Sequence, residues 1–307
     1  MAGLAHTSNT APADMQHYIA QAWSKNTRRA YQADMQHFYT WGGAIPCTKE
    51  QVARYLTDHA QLLSISTLQR RLVSIGMAHR LQGYADPTKH DVVKLTMRGI
   101  RREHGKPQEQ VAPLLKEDLT VMLSHIPDTI KGKRDRALLL LGFCGALRRS
   151  ELVAIRAEDL EFTSQGIILT IPRSKTDQDG RGRKVAIPKG CGKICPVEEI
   201  NIWLLYSGAI TRCSYVFPSI RKNGDLANTA LSTRAVADII KYYAKKAGLD
   251  PERYSGHSLR AGLATSAAQH GISSWKIREQ TGHQSDAMLA RYIRDGDLFN
   301  NNAAALF

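Results

Sequence analysis

Four short stretches beyond residue 144 carry residues suited to gripping an anion. "GHSLRAGLATSAAQHG", Gly256–Gly271, reads as a core-packed helix, yet His257 and Arg260 stand at its very start. Spaced three apart they share one helical face and can converge on a single anion, although polar residues are also common in an exposed first turn. "GALRRSELVAI" places Arg148 and Arg149 ahead of Glu151, close enough for Arg148 simply to pair with that carboxylate. Lys175 lies near the turn of a hairpin-like segment, where a lysine is ordinary. "TGHQSDAMLARYIRDG" supplies His283 and, nine residues on, Tyr292, one of 11 tyrosines. Taken singly, each has a plain structural explanation. Taken together, they offer guanidiniums, imidazoles, an amine and a phenol for work on a phosphate.

The elements that must position these groups are mostly helices. Residues 1–13 form a polar, alanine-rich tail expected to be disordered. From Asp14 to about Glu103 the pattern is helical and no strand pattern competes. "NTRRAYQADMQHFYTW" follows a Ser24/Asn26 cap and sets Tyr31, Met35, Phe38 and Tyr39 on one face. "TKEQVARYLTDHA" opens with a capping box, Thr48 and Gln51. "SISTLQRRLVSIGMAHRLQG" stops at Gly83, and "DPTKHDVVKLTMRGIRREHG" starts at Asp86-Pro87 and stops at Gly105. "GKPQEQVAP" has two prolines and no periodicity, so residues 106–114 read as a linker. Beyond it, helices are expected at Lys116–Ile126, Lys133–Leu147, Val197–Tyr206, Ser232–Ala247, His257–His270, Ser274–Thr281 and Ala287–Ile293. "GIILTIPRSKTDQDGRGRKVAIP" alternates around a Gly/Asp-rich turn and predicts one β-hairpin. The expectation is a mainly α protein with one small sheet, in two domains of residues 14–105 and 115–307.

Charge narrows the partner. A formal net charge of +14 on 307 residues, with only 23% of them charged, is strongly one-signed. That points to a polyanion, nucleic acid before an anionic membrane. No apolar run approaches the ~20 residues of a membrane span, and the N-terminus lacks a secretory signal pattern. A cytoplasmic protein acting at the bacterial nucleoid is expected. Five cysteines offer no tight double pair for structural zinc and read as reduced thiols; no acidic cluster suggests Mg²⁺. Neither a metal nor another cofactor is expected.

The order "GALRRSELVAI", hairpin lysine, "HSLR", then "TGH" nine residues before a tyrosine resembles the tyrosine recombinase (phage-type integrase) family. The step of 23 residues from Arg260 to His283 is similar to the family's own. "RKNGD", "LSTRAV" and "YIRD" extend the likeness, and the helical stretches around Gln69 and Arg101 carry it into the first half, from about Lys25 to Ile293. The resemblance implies a two-domain fold, with an N-terminal helical, SAM-like core-binding domain and a C-terminal integrase-type catalytic domain, closing as a C-shaped clamp on duplex DNA. It implies Tyr292 as nucleophile, forming a 3′-phosphotyrosine that stores the phosphodiester energy for rejoining. Arg148 and Arg260 would neutralise the non-bridging oxygens, Lys175 would protonate the leaving 5′-oxygen, and His257 would act as base to Tyr292 or as a phosphate donor. His283 occupies a position filled by histidine or tryptophan in the family and would bond a phosphate oxygen. Glu151 would orient the arginine and the hairpin, while Arg149 points elsewhere around its helix.

For DNA contacts the same resemblance draws attention to Lys25, Arg28 and Arg29 on one helix, to Gln69, Arg70 and Arg71 on another, and to Arg101. Arg and Gln can read guanine and adenine edges, or merely touch phosphates. Lys222 in "RKNGD" is a further phosphate candidate. The implied partner is double-stranded DNA with inverted-repeat sites, bound by a homotetramer, with accessory proteins possible. Leu298, Phe299, Leu306 and Phe307 after Gly296 would dock the tail on a neighbouring subunit. Two rivals are a type IB topoisomerase with a similar residue set and a catalytically inactive DNA-binding factor on the same fold.

Overall fold

The computed structural model describes residues 18, 22–106, 111–172, 182–190, 192, 194–208, 215–283, 285, 289–290 and 292. The proposed disordered tail, Lys175 and the C-terminal docking segment lie outside them. The chain divides into two compact units, Met1–Gln108 and Glu109–Phe307.

The first unit is helical. Helices α1 (Lys25–Thr40), α2 (Lys49–Asp58), α3 (Ile65–Leu81) and α4 (Asp91–His104) surround a core of Phe38, Val52, Tyr55, Leu56, Leu68, Ile75 and Val93. Ser24 caps α1, and Thr48 with Gln51 forms the expected capping box on α2. The Asp86-Pro87 start belongs to a separate 3₁₀ turn, Pro87–Lys89, and α4 begins only after His90. Tyr39 is exposed rather than packed; Asp34 is the buried partner of Phe38 on α1.

That aspartate explains a second departure. Arg71 is 8% exposed, with its Nη1 donating to Tyr55 Oη at 2.8 Å and its Nε 3.6 Å from Asp34 Oδ1. Arg70 grips the same carboxylate through two bonds of 2.8 Å, and Ser74 Oγ donates to it at 3.1 Å. A buried carboxylate costs several kcal/mol unless paired, so this network belongs to the domain core. Arg71 is therefore a structural residue, not a surface reader of bases.

The second unit is built on α6 (Ile130–Cys144), whose second half, Ala137–Phe143, is apolar and buried on every side. Around it lie α5 (Lys116–Ser124), α7 (Arg149–Ala154), α8 (Pro196–Ser207), α9 (Thr233–Lys246), α10 (Ser258–Gln269) and α11 (Ser274–Thr281). Trp203 of α8 is wholly buried and its Nε1 donates to Val216 O at 2.7 Å. The hairpin pairs β2 (Gly166–Ile171) with β3 (Arg183–Pro188), in register Ile167↔Ile187 and Leu169↔Val185. A short strand, β1 (Leu160–Phe162), extends it to three strands. A second sheet, β4 (Pro218–Ile220) with β5 (Leu226–Ala230), brackets the "RKNGD" turn, so the expectation of one small sheet was too few.

The end of the expected linker is firmly held. Ala112 N donates to Arg253 O at 2.7 Å and Leu114 N to Ser258 O at 2.9 Å, with Leu114 fully buried. Gly262 makes this possible, since a Cβ there would fall 1.8 Å from Leu114 O. The strand-like entry thus fixes the start of α10, where two of the candidate residues sit.

Candidate active site

The site is assembled where α6 ends, α7 begins, α10 begins and α11 ends. Past α6, Ala146 adopts φ +47°, a left-handed conformation uncommon outside glycine. Its carbonyl accepts from Arg260 Nη1 at 2.8 Å. Arg260 lies in the first turn of α10 and is only 1% exposed, and its Nη2 is buried with no acceptor among the described residues. Burial, then the like charge of Arg148, holds its guanidinium down at about 10, against the pull of Glu151.

Arg148 caps α7, and Glu151 holds it twice. Glu151 Oε2 accepts from Arg148 N at 3.0 Å and Oε1 from Arg148 Nη1 at 2.7 Å. The pairing at i, i+3 suggested by the sequence is real, but the glutamate side chain is 3% exposed, so this is no surface contact. Glu151 stays ionised despite burial, because bonds to the Arg148 backbone and side chain and the charges of Arg183 and Arg148 pull its pKa down. Arg183, which the sequence reading passed over, is the third guanidinium here: Nη2 reaches Glu151 Oε2 at 3.3 Å. One carboxylate facing Arg148, Arg183 and Arg260 leaves the cluster with surplus positive charge, a setting complementary to an anion.

His257 caps α10, and its Nε2 lies 2.9 Å from Tyr292 Oη. Burial lowers the His257 pKa, followed by the fields of Arg260, Arg148 and Arg149. The imidazole is neutral at pH 7, and in its Nδ1-protonated tautomer Nε2 accepts the tyrosine hydroxyl. Tyr292 packs against Ala264, Ala268, Ile277 and Leu289. His283 follows Gly282, which ends α11 at φ +66°. Its Nδ1 is 2.7 Å from Thr281 Oγ1, itself 2.7 Å from Ile277 O. The hydroxyl has one proton, so when Thr281 donates to Ile277, His283 Nδ1–H must donate to Thr281.

His283 is 7% exposed, and burial, then Arg260 and Arg148, pushes its pKa down to about 4. A folded value below the unfolded ~6.5 means that the unfolded state binds the extra proton first. Stability from this group is complete above pH ~6.5 and is lost as pH falls towards 4, by on the order of 3 kcal/mol. Urea denaturation of DNA-free protein at pH 7 and pH 4.5 should show this loss for wild type and a smaller one for His283→Gln. Equal losses in both proteins would contradict it.

Arg148, Glu151, His257, Arg260, His283 and Tyr292 are thus gathered in one unit, while Lys175 lies outside the described residues. Lys222 is exposed in the β4–β5 turn. In the first unit Lys25, Arg28, Arg29, Gln69 and Arg101 are exposed, and Gln69 and Arg101 line a groove of about 450 Å³ with Arg80, Lys94 and Arg98. Arg70 keeps 47% of its side chain exposed while bound to Asp34. No described helix is long and apolar enough to cross a membrane.

Known proteins share this arrangement of sequence and fold. Residues 113–297 match the model of the phage integrase family. The chain is 40% identical over 295 residues to the integrase/recombinase xerD homolog of Selenomonas ruminantium, covering 93% of this chain and 86% of that protein. It is 30% identical over 300 residues to recombinase cre of Escherichia phage P1, covering 90% and 86%. In fold it is similar to a lambda integrase crystallised as a dimer on a COC′ core site, with TM-score 0.64 at 18% identity over 92% of this chain and 94% of that one. With the family model spanning the unit that holds the arginines, histidines and tyrosine, and two relatives aligned over nearly the whole length, the chain is a member of the phage integrase family of tyrosine recombinases.

Proposed function

We propose that this protein cleaves and rejoins duplex DNA at specific sites through a 3′-phosphotyrosine on Tyr292. The observation that carries the reading is the hydroxyl of Tyr292 at 2.9 Å from a neutral His257, in the same site as the buried Nη2 of Arg260, which has no acceptor among the described residues. His257 takes the phenol proton as Tyr292 Oη attacks phosphorus, and the bond to the 5′-oxygen breaks. Arg148 and Arg260 meet the charge on the non-bridging oxygens, with Glu151 holding Arg148 in place. His283 donates to a phosphate oxygen from Nε2 once Thr281 turns its proton to Nδ1, or once the phosphate's charge raises the imidazole pKa. Lys175 protonates the leaving 5′-oxygen, which attacks in the reverse direction to rejoin a strand. No metal or other cofactor enters. The first unit binds DNA through Lys25, Arg28, Arg29, Gln69 and Arg101, with Arg70 offering its exposed edge and Lys222 touching phosphate from the second unit. The protein works as a homotetramer on two inverted-repeat sites in the bacterial cytoplasm.

The test is covalent capture. A duplex selected by the protein from a random pool, nicked so that the cleaved fragment diffuses away, should give a protein–DNA adduct in EDTA. An adduct that needs Mg²⁺, or none with any selected duplex, would contradict the reading. Recombination between two such sites, with no relaxation of plasmids lacking them, separates a recombinase from a type IB topoisomerase.

Two further outcomes follow from the assigned roles. Lys175→Ala should cleave normal DNA at least ~100-fold more slowly, the usual scale for a lost general acid, and recover when the bridging 5′-oxygen is replaced by sulfur. Sulfur needs little protonation to leave, so no recovery would remove Lys175 from that role. Deleting Leu298–Phe307 should spare binding to one half-site and abolish recombination, because burying two or three such side chains against a neighbour is worth about 1.5–3 kcal/mol each. Recombination at the full-length rate would rule out tail docking.

A further inference from the structure

Arg183 opens β3 on the same face as Val185 and Ile187, which are both buried, while Lys184 and Ala186 face outward. An inward guanidinium in a small sheet is costly unless several acceptors hold it. Here Nη1 donates to Gln280 O at 2.9 Å and Nη2 to Glu151 Oε2 at 3.3 Å. The third nitrogen, Nε, is buried with no acceptor among the described residues, so the anchoring rests on the two terminal nitrogens. Gln280 answers from the other side: its Nε2 donates to Cys144 O at 2.7 Å and to Ala186 O at 3.0 Å. Two residues on, Gly282 passes flat against the guanidinium, where a Cβ would lie 3.2 Å from Arg183 Cδ, Nε and Cζ. Arg183 and Gln280 therefore tie together the end of α6, Glu151 on α7, β3 and the turn of α11 that leads into His283.

We propose that Arg183 is a positioning residue for strand cleavage, acting through Glu151 on Arg148 while Gln280 O anchors its other arm. The inference rests on the recombinase reading above. Among the described residues, Glu151 without Arg183 keeps the two donors of Arg148, both on one residue, and its carboxylate plane can turn with that residue. The third donor comes from a different strand and fixes the plane against β3. Only a fork reaches both acceptors at once; a lysine, with a single terminal nitrogen, satisfies one of them. Arg183 does not reach the phosphate in this scheme, because its terminal nitrogens are committed to protein oxygens.

The test compares full-length proteins in single-turnover cleavage and in half-site binding on the same selected duplex. Arg183→Ala should cleave about 10–100-fold more slowly, the scale seen when a supporting partner of an active-site group is lost. Its half-site affinity should stay within about threefold, and Arg183→Lys should recover only part of the rate. The discriminating readout is the double variant Arg183→Ala/Glu151→Gln. If Arg183 works through Glu151, that variant cleaves within about threefold of Glu151→Gln alone, because the two losses are shared. Multiplying losses, or wild-type cleavage by Arg183→Ala, would overturn the inference. Should Arg183→Ala fail to fold, Arg183→Lys alone and combined with Glu151→Gln carries the same comparison. Absence of cleavage by the wild-type protein would instead overturn the recombinase reading and this inference with it, so the two failures are distinct.

Discussion

Tyr292→Phe is expected to bind a half-site with an affinity within about threefold of wild type and to form no covalent adduct at all. The ring sits half-buried against Ala264, Ala268, Ile277 and Leu289, and phenylalanine keeps those contacts. The hydroxyl goes, and with it the 2.9 Å bond to His257 Nε2, a bond worth about 1 kcal/mol of stability. A phenyl ring has no nucleophilic atom, so chemistry stops while folding and binding continue. Gel-shift binding and denaturing-gel adduct assays on one labelled duplex measure both. Adduct at even a tenth of the wild-type yield would mean that another residue attacks the phosphate.

Arg260→Met is expected to slow cleavage about 10³-fold, the range seen when one donor to a charged transition state is removed. That corresponds to roughly 4 kcal/mol. Methionine fills much of the same volume but offers no donor for a non-bridging oxygen. The DNA-free protein should meanwhile change in stability by less than about 2 kcal/mol, because two effects oppose. The carbonyl of Ala146 loses its partner, while a buried cation crowded by Arg148 and Arg183 is removed. Stability held for an unliganded pocket and rate lost for a liganded one is the signature of a site built for an anion. A large drop in urea midpoint with cleavage within tenfold of wild type would make Arg260 structural instead.

The parts of the site that sequence made legible are those encoded by short spacing. His257 and Arg260 fall at the cap and first turn of α10, and Arg148 with Glu151 forms a capped turn, because i, i+3 pairs on one helix need no tertiary information. Arg183 and Gln280 were missed, since their partners lie 32 and 97 residues away from Arg183 and 94 or more from Gln280. The signal was nonetheless present: alternation along "RKVAIP" places Arg183 inward with Val185 and Ile187. Arg71 makes the same point in the first unit. It recurs on the apolar stripe of α3 with Leu68 and Ile75, and reading it as a DNA contact hid its pairing with Asp34. The strands β1, β4 and β5 escaped because three to five residues are too few to establish a period.

Mapping the attachment point tests the central claim most directly. Wild-type protein is trapped on a nicked duplex in EDTA, digested with protease and nuclease, and the modified peptide is sequenced by mass spectrometry. The account predicts a nucleotide joined through its 3′-phosphate to Tyr292 and to no other residue. A nucleotide on a different side chain, a 5′-linkage, or no modified peptide from protein that has cut its DNA would contradict it.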